Sequence, residues 1–224
     1  MADSETILKA HCNRCLRETR HSVLASRAQD YDEREDNGQV TYWEITQYQM
    51  LECCGCENIT FRSVYQWVGD PDSSITYFPP AVTRAAPAWL SDIAYWYQHE
   101  DLRSLLGEVY AALHAGSNRL AMMGARTLID MVMLDKIGDQ GTFEQKLKKM
   151  ETEGHISLTN REYLQAAIDA GSAAVHRGHC PDDKDVNRVM DIVENLVQAV
   201  YVLAPVAVTL RQNTPPRPPR PGAT

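Results

Sequence analysis

Apolar and polar positions along the chain change their period near residue 88. Ahead of it, β-branched and aromatic residues gather in short runs at residues 21–28, 40–51 and 59–68. Such runs, bounded by charged and turn-forming residues, are the pattern of strands and predict a three-stranded ribbon. Residues 30–38 between the first two runs are acidic and end in Asn37-Gly38, which reads as a solvated hairpin loop. Gly69, Pro71, Pro79, Pro80 and Pro87 then mark a turn-rich connection, placing a boundary there.

Beyond residue 88 the period is helical. Leu102, Leu105, Leu106, Val109, Tyr110 and Leu113 recur at the i, i+3, i+4 spacing, and Gly116 ends the run. Ser117 or Asn118 can cap a second helix over residues 120–134, apolar on nearly every side and so expected at the centre of a bundle. A short helix is predicted over 143–150, and a capping box at residues 159–162 opens another reaching about Gly171. A long last helix follows Pro181, with Val186, Val189, Met190, Val193, Leu196, Val197, Val200 and Tyr201 as its stripe and Pro205 kinking or ending it. The apolar run 196–210 contains Gln198 and Pro205 and is shorter than the roughly 20 residues of a bilayer span, so it reads as a core helix. Residues 213–224 are rich in proline with Arg217 and Arg220, a polyproline-like or disordered tail.

Two cysteine knuckles stand within the strand region, Cys12-x-x-Cys15 and Cys53-x-x-Cys56. Four thiolates at that spacing suit a closed tetrahedral zinc site, Zn2+ with no position left for substrate. The metal is expected to hold structure, because binding free energy in such small modules is largely folding free energy. Cys54 reads as a bystander, and His11 and His21 as substitutes only for a distorted knuckle. Five of the six cysteines precede residue 57 and the opening residues are polar and acidic. That pattern suits reduced thiols, no leader peptide and a cytoplasmic protein. The net charge of −8 opposes broad attraction to phosphate.

The segments Leu105-Leu-Gly-Glu-Val-Tyr-Ala-Ala-Leu-His114, Leu120-Ala-Met-Met-Gly-Ala-Arg-Thr-Leu-Ile-Asp130, Lys146-Leu, Gly154-His-Ile-Ser157 and Ala170-Gly-Ser-Ala-Ala-Val-His176 resemble the bacterial family catalogued as domain of unknown function 4145. Glu52-Cys-Cys-Gly-Cys-Glu57 is similar to a second knuckle that members carry ahead of the helical part. The resemblance implies a helical bundle of the HEPN type, a superfamily of metal-independent endoribonucleases and of non-catalytic dimerising modules, often in bacterial restriction or phage defence. Active members carry an Arg shortly before a His, the one stabilising phosphate charge and the other moving protons. Ahead of His176 the corresponding positions are Gly171, Ala170 and Asp169, which argues against that activity.

Arg126 and Asp130, spaced i, i+4, are the conspicuous polar residues of the central helix. They read as an internal ion pair fixing bundle register, or with His176 as a polar pocket. His179 and Cys180 beside His176 lack a fourth ligand for a second metal site. The expected class is therefore α+β: a zinc-ribbon domain at 1–70, a linker at 71–87, a HEPN-like bundle at 88–212 and the tail at 213–224. The expected function is a non-catalytic, homodimeric module binding a protein or nucleic-acid partner, with no membrane. The alternative is an endoribonuclease with a rearranged site using His176 and Arg126.

Overall fold

The computed structural model describes residues 6–69, 72–93 and 98–216, and the mixed α+β class is as expected. It forms two compact units, Met1–Ala85 and Ala86–Thr224.

The first unit is a five-stranded antiparallel sheet of β1 (Ile7–Cys12), β2 (Arg17–Arg34), β3 (Val40–Cys53), β4 (Ile59–Trp67) and β5 (Ser74–Phe78), paired in sequence order. The three-stranded ribbon is thus corrected to five. β1 is short and buries only Ala10 and Cys12, residues too small to signal a strand. β5 lies within the stretch expected as linker, where surrounding prolines mask a five-residue edge strand. The acidic segment is also mostly strand. β2 runs through it to Arg34, paired against β3 from Asp30↔Ile45 to Arg34↔Val40, so the ladder overrides the poor β-propensity of Asp and Glu. The loop shrinks to a turn closed by Gly38 N–H on Glu35 O at 2.8 Å and Glu35 N–H on Gln39 O at 2.9 Å, with Gly38 at φ +83°.

Apolar burial in this unit is thin, concentrated at Ala10, Cys12, Leu51 and Cys53 with His21 beside them.

The second unit contains α1 (Glu100–His114), α2 (Asn118–Ile137), α3 (Phe143–Thr152), α4 (Leu158–His176), α5 (Asp183–Gln198) and α6 (Ala204–Asn213), after a 3-10 turn at Ala88–Asp92. α2 packs against α1, α3, α4 and α5 and buries Met122, Ala125, Leu128, Ile129, Val132 and Met133 completely, as an all-round apolar helix must. Three local expectations are corrected. Ser117 occupies the N-cap of α2 but its side chain makes no capping bond; Asn118 instead donates to Asp183 Oδ1 at 2.7 Å, tying α2 to the start of α5. The cap of α4 is Ser157, accepting from Asn160 N–H at 3.1 Å, not Thr159, and the capping box belongs to α3, between Thr142 and Gln145. Finally, α4 does not stop at Gly171. It continues to His176 because Gly171 packs against α2: an added Cβ there would lie 2.6 Å from Arg126 Cβ.

α5 and α6 join through a π-turn at Ala199–Leu203, where Ala204 N–H donates to Ala199 O five residues back. The wider turn accommodates Pro205, which has no N–H and would crowd the carbonyl four residues earlier. The combined helix, Asp183–Asn213, is 31 residues long, enough by length and composition to cross a membrane. Its apolar run is not core throughout: Leu196, Val197, Val200 and Tyr201 are buried, but Leu203, Val206, Val208 and Leu210 are exposed and α6 buries no residue. Residues 217–224 of the proline-rich tail lie outside the described residues.

Candidate metal centre

Cys12 ends β1 and Cys53 ends β3, so each knuckle begins as a strand runs out and turns. Both turns are built alike. Leu16 N–H donates to Cys12 O at 2.7 Å and Glu57 N–H to Cys53 O at 2.9 Å. The residue after each second cysteine is left-handed, Leu16 at φ 56° and Glu57 at φ 61°. Non-glycine residues seldom adopt that conformation, and its occurrence at both equivalent positions marks two copies of one turn facing each other. Arg14 Nη1 donates to Cys56 O at 3.3 Å, joining the two knuckles, and Cys54 N–H donates to Arg20 O at 2.9 Å, tying the second one to β2.

The four sulfurs of Cys12, Cys15, Cys53 and Cys56 all lie within 4.8 Å of one another. Cys12 Sγ is 3.5 Å from Cys56 Sγ, and Cys15 Sγ is 4.0 Å from Cys53 Sγ. A tetrahedral metal with bonds of about 2.3 Å to sulfur requires edges of about 3.8 Å, so the observed separations straddle the required value. Cys12 and Cys53 are fully buried, while Cys15 and Cys56 are half-buried at the rim. Neither His11 nor His21 joins the cluster. His21 is buried in the sheet with Nδ1 3.1 Å from Thr19 O.

The electrostatics fit a cation. Burial opposes ionisation of Cys53, but the Thr19 hydroxyl at 3.2 Å and the N–H groups of Gly55 and Cys56 stabilise its thiolate and bring its pKa down to about 6. Cys15 is pushed up to about 12, first by its hydrogen bond with Cys56 and then by burial and its other sulfur neighbours. One thiolate therefore forms readily, and further negative charge beside it is resisted until a positive ion compensates it. Four thiolates with no carboxylate or imidazole are a soft donor set, suited to zinc or iron and unsuited to magnesium or calcium.

Arg126, Asp130 and His176 do not form the polar arrangement expected of them. Among the described residues Arg126 makes no ion pair with Asp130. Its Nε donates to Ser172 Oγ at 3.1 Å and its guanidinium lies 4.4 Å over the Phe143 ring. Asp130 takes Lys146 instead, with Nζ to Oδ1 2.8 Å. The i, i+4 spacing put both residues on one side of α2, but α3 and α4 each supplied a nearer partner. His176 is exposed at the last turn of α4, with His179 and Cys180 exposed beyond it. Lys146, buried and paired across helices, has no sequence signal of its own, because a lysine in a charged helix ordinarily marks a solvated face.

Residues 107–213 match the family described as Domain of unknown function (DUF4145). The DUF4145 match begins inside α1 and closes with α6, so the uncovered last helix is part of it, as are Arg126, Asp130 and His176. The cysteine cluster and its sheet lie outside the matched residues. No curated protein and no solved structure matches the chain.

Proposed function

We propose that this chain is a non-catalytic binding module, a zinc-stapled sheet joined to a HEPN-like bundle of the DUF4145 type that engages a protein partner in a reducing compartment. The observation that carries the reading is the closed donor set. Four sulfurs at near-tetrahedral spacing, two of them fully buried, leave a zinc ion no protein-free position at which to activate water or bind substrate. Zinc there would be held by Cys12, Cys15, Cys53 and Cys56 and would supply folding free energy to a sheet with little apolar core.

The helical unit supports the same conclusion. The positions ahead of His176 are Asp169, Ala170 and Gly171; the Arg126 guanidinium is committed to Ser172 and Phe143, and Arg177, next to His176, donates to Asp169 O at 2.9 Å. A phosphate transition state at His176 would lack the arginine that active members carry ahead of the histidine, a loss of about 3–4 kcal/mol in comparable sites. The apolar, uncovered α6 favours self-association of this unit.

Elemental analysis and RNA incubation test the reading together. One zinc per chain is expected, lost on replacing Cys12 and Cys53 by serine, with RNA left intact in the presence of chelator. Metal content unchanged by the double replacement would refute the metal centre. RNA cleavage abolished by His176→Ala would refute the non-catalytic assignment and establish the ribonuclease.

A further inference from the structure

The outer part of the β2–β3–β4 sheet carries a second cluster, which contains no cysteine and is used by nothing described above. The registers Tyr31↔Glu44, Glu33↔Tyr42, Glu44↔Trp67 and Thr46↔Tyr65 place Tyr31, Tyr42, Glu44, Tyr65 and Trp67 on one face, since side chains alternate along each strand. Glu44 is at its centre. Its Oε2 accepts from Tyr42 Oη at 2.7 Å and from Tyr65 Oη at 2.8 Å, and the two phenol oxygens lie 3.3 Å apart. The rings of Tyr31 and Tyr42 are 6.3 Å apart and tilted. Tyr31 is 52% exposed and Trp67 is 40% exposed, so large aromatic surface stands open on both sides of an oriented carboxylate.

Two phenols hold Oε2, whereas Oε1 has no hydrogen-bond partner among the described residues. The hydrogen bonds from Tyr42 and then Tyr65 also keep the carboxyl below its ordinary range despite partial burial, so it stays ionised. A fixed anion with one open oxygen, flanked by π-faces, is complementary to a guanidinium, which can accept the ion pair and stack on a ring together. The remaining exposed rings are flat, rigid apolar surfaces of the kind on which proline rings pack.

We propose that this face is a docking site for an extended, proline-rich segment of a partner chain that carries arginine, with the arginine on Glu44 and prolines on Tyr31 and Trp67. Charge decides against the other polymer that stacks on aromatic sheets. Asp30, Asp32, Glu33, Glu35 and Asp36 crowd the same hairpin, where Arg34 is paired with Asp32, and a phosphate backbone would be repelled. A proline-rich peptide is already extended when free and loses little conformational entropy on binding. The inference rests on the binding-module reading and deepens it by naming a partner chemistry, and it does not depend on the helical unit.

The test uses the full chain and a fluorescent peptide of the composition the chain itself carries at residues 212–224, read by anisotropy. Saturable binding is expected. Replacing both arginines of the peptide by alanine should weaken it about 5- to 10-fold, a comparison that cannot be confounded by misfolding. Glu44→Gln, close in shape and able to keep a phenol hydrogen bond, should do the same, and Trp67→Ala should weaken the arginine-free peptide as well. Equal affinity for both peptides, or binding untouched by Glu44→Gln and Trp67→Ala with the sheet intact by circular dichroism, would overturn the proposal. Displacement of the peptide by single-stranded oligonucleotide at lower concentration than by unlabelled peptide would overturn it in favour of nucleic acid. Absence of bundle self-association, by contrast, would bear on the module reading alone.

Discussion

Lys146 and Asp130 offer a direct measure of what a buried charge contributes to the helical unit. The Lys146 side chain is 8% exposed and that of Asp130 is 28% exposed, with 2.8 Å between Nζ and Oδ1. The next acceptor for the ammonium is Asp139 Oδ1 at 3.9 Å, and the Phe143 ring centroid is 5.5 Å away. Asp130→Ala therefore strands a desolvated cation with one weak partner. Breaking a fully buried pair costs about 3–5 kcal/mol, and the water that reaches Asp130 lowers the expected loss to about 2–3 kcal/mol. For a unit of this size that is a fall in melting temperature of roughly 5–10 °C. Lys146→Met should cost less, about 1 kcal/mol or below, because the carboxylate left behind can be hydrated and the apolar chain fills the same space. Thermal melting followed at 222 nm isolates the bundle, since the helices all belong to it. The double variant completes the cycle, with a coupling of about 1.5–2 kcal/mol expected. A Lys146→Met loss equal to that of Asp130→Ala, or a coupling under about 0.5 kcal/mol, would show that the pair is not a buried one energetically.

Two further outcomes follow from contacts in the same unit. Gly171→Ala places a methyl 2.6 Å from Arg126 Cβ, so α4 and α2 must separate slightly; a loss of about 1–3 kcal/mol in the same melt is expected, and an unchanged or raised melting temperature would contradict the close approach. Burial raises the pKa of Asp135, but hydrogen bonds from Lys136 and Tyr201 outweigh it and hold the carboxyl below its usual value. Its contribution is thus present above the unfolded carboxyl pKa and disappears as pH falls through the lower folded one. Tyr201→Phe, which removes the 2.8 Å bond to Asp135 Oδ2, should cost about 1.5–3 kcal/mol at neutral pH and progressively less in acid. A loss independent of pH would show that the hydroxyl does not act through the ionised Asp135 carboxylate.

The sheet unit shows how far residue pattern alone can reach. Both knuckles were legible because their spacing is chemical, a property of residue type and distance along the chain. The helical unit was legible for a different reason: its apolar residues repeat with the helix, so α1, α2 and the stripe of α5 could be placed from period alone. Less could be read where small or polar residues carry a strand. β1 and β5 have no strong apolar alternation, and the acidic half of β2 is extended only because β3 lies opposite it, a fact that resides in pairing and not in either segment. Breaker residues misled in the same way, since Gly171 serves close helix packing inside α4, and Pro205 is absorbed by a π-turn. Partner choice was the furthest from the sequence. The i, i+4 rule put Arg126 and Asp130 side by side on α2, yet Ser172 and Phe143 took one and Lys146 the other, because neighbours across helices lay nearer and better oriented than neighbours along one. The cluster around Glu44 belongs to the same class. Tyr31, Tyr42, Tyr65 and Trp67 are unremarked strand residues until the antiparallel register brings three strands together and sets them around one carboxylate. Periodic elements and spaced thiols can be read from residue order because those signals are local; which polar groups meet is settled only on folding, because the distances between chain segments are not written in any one of them.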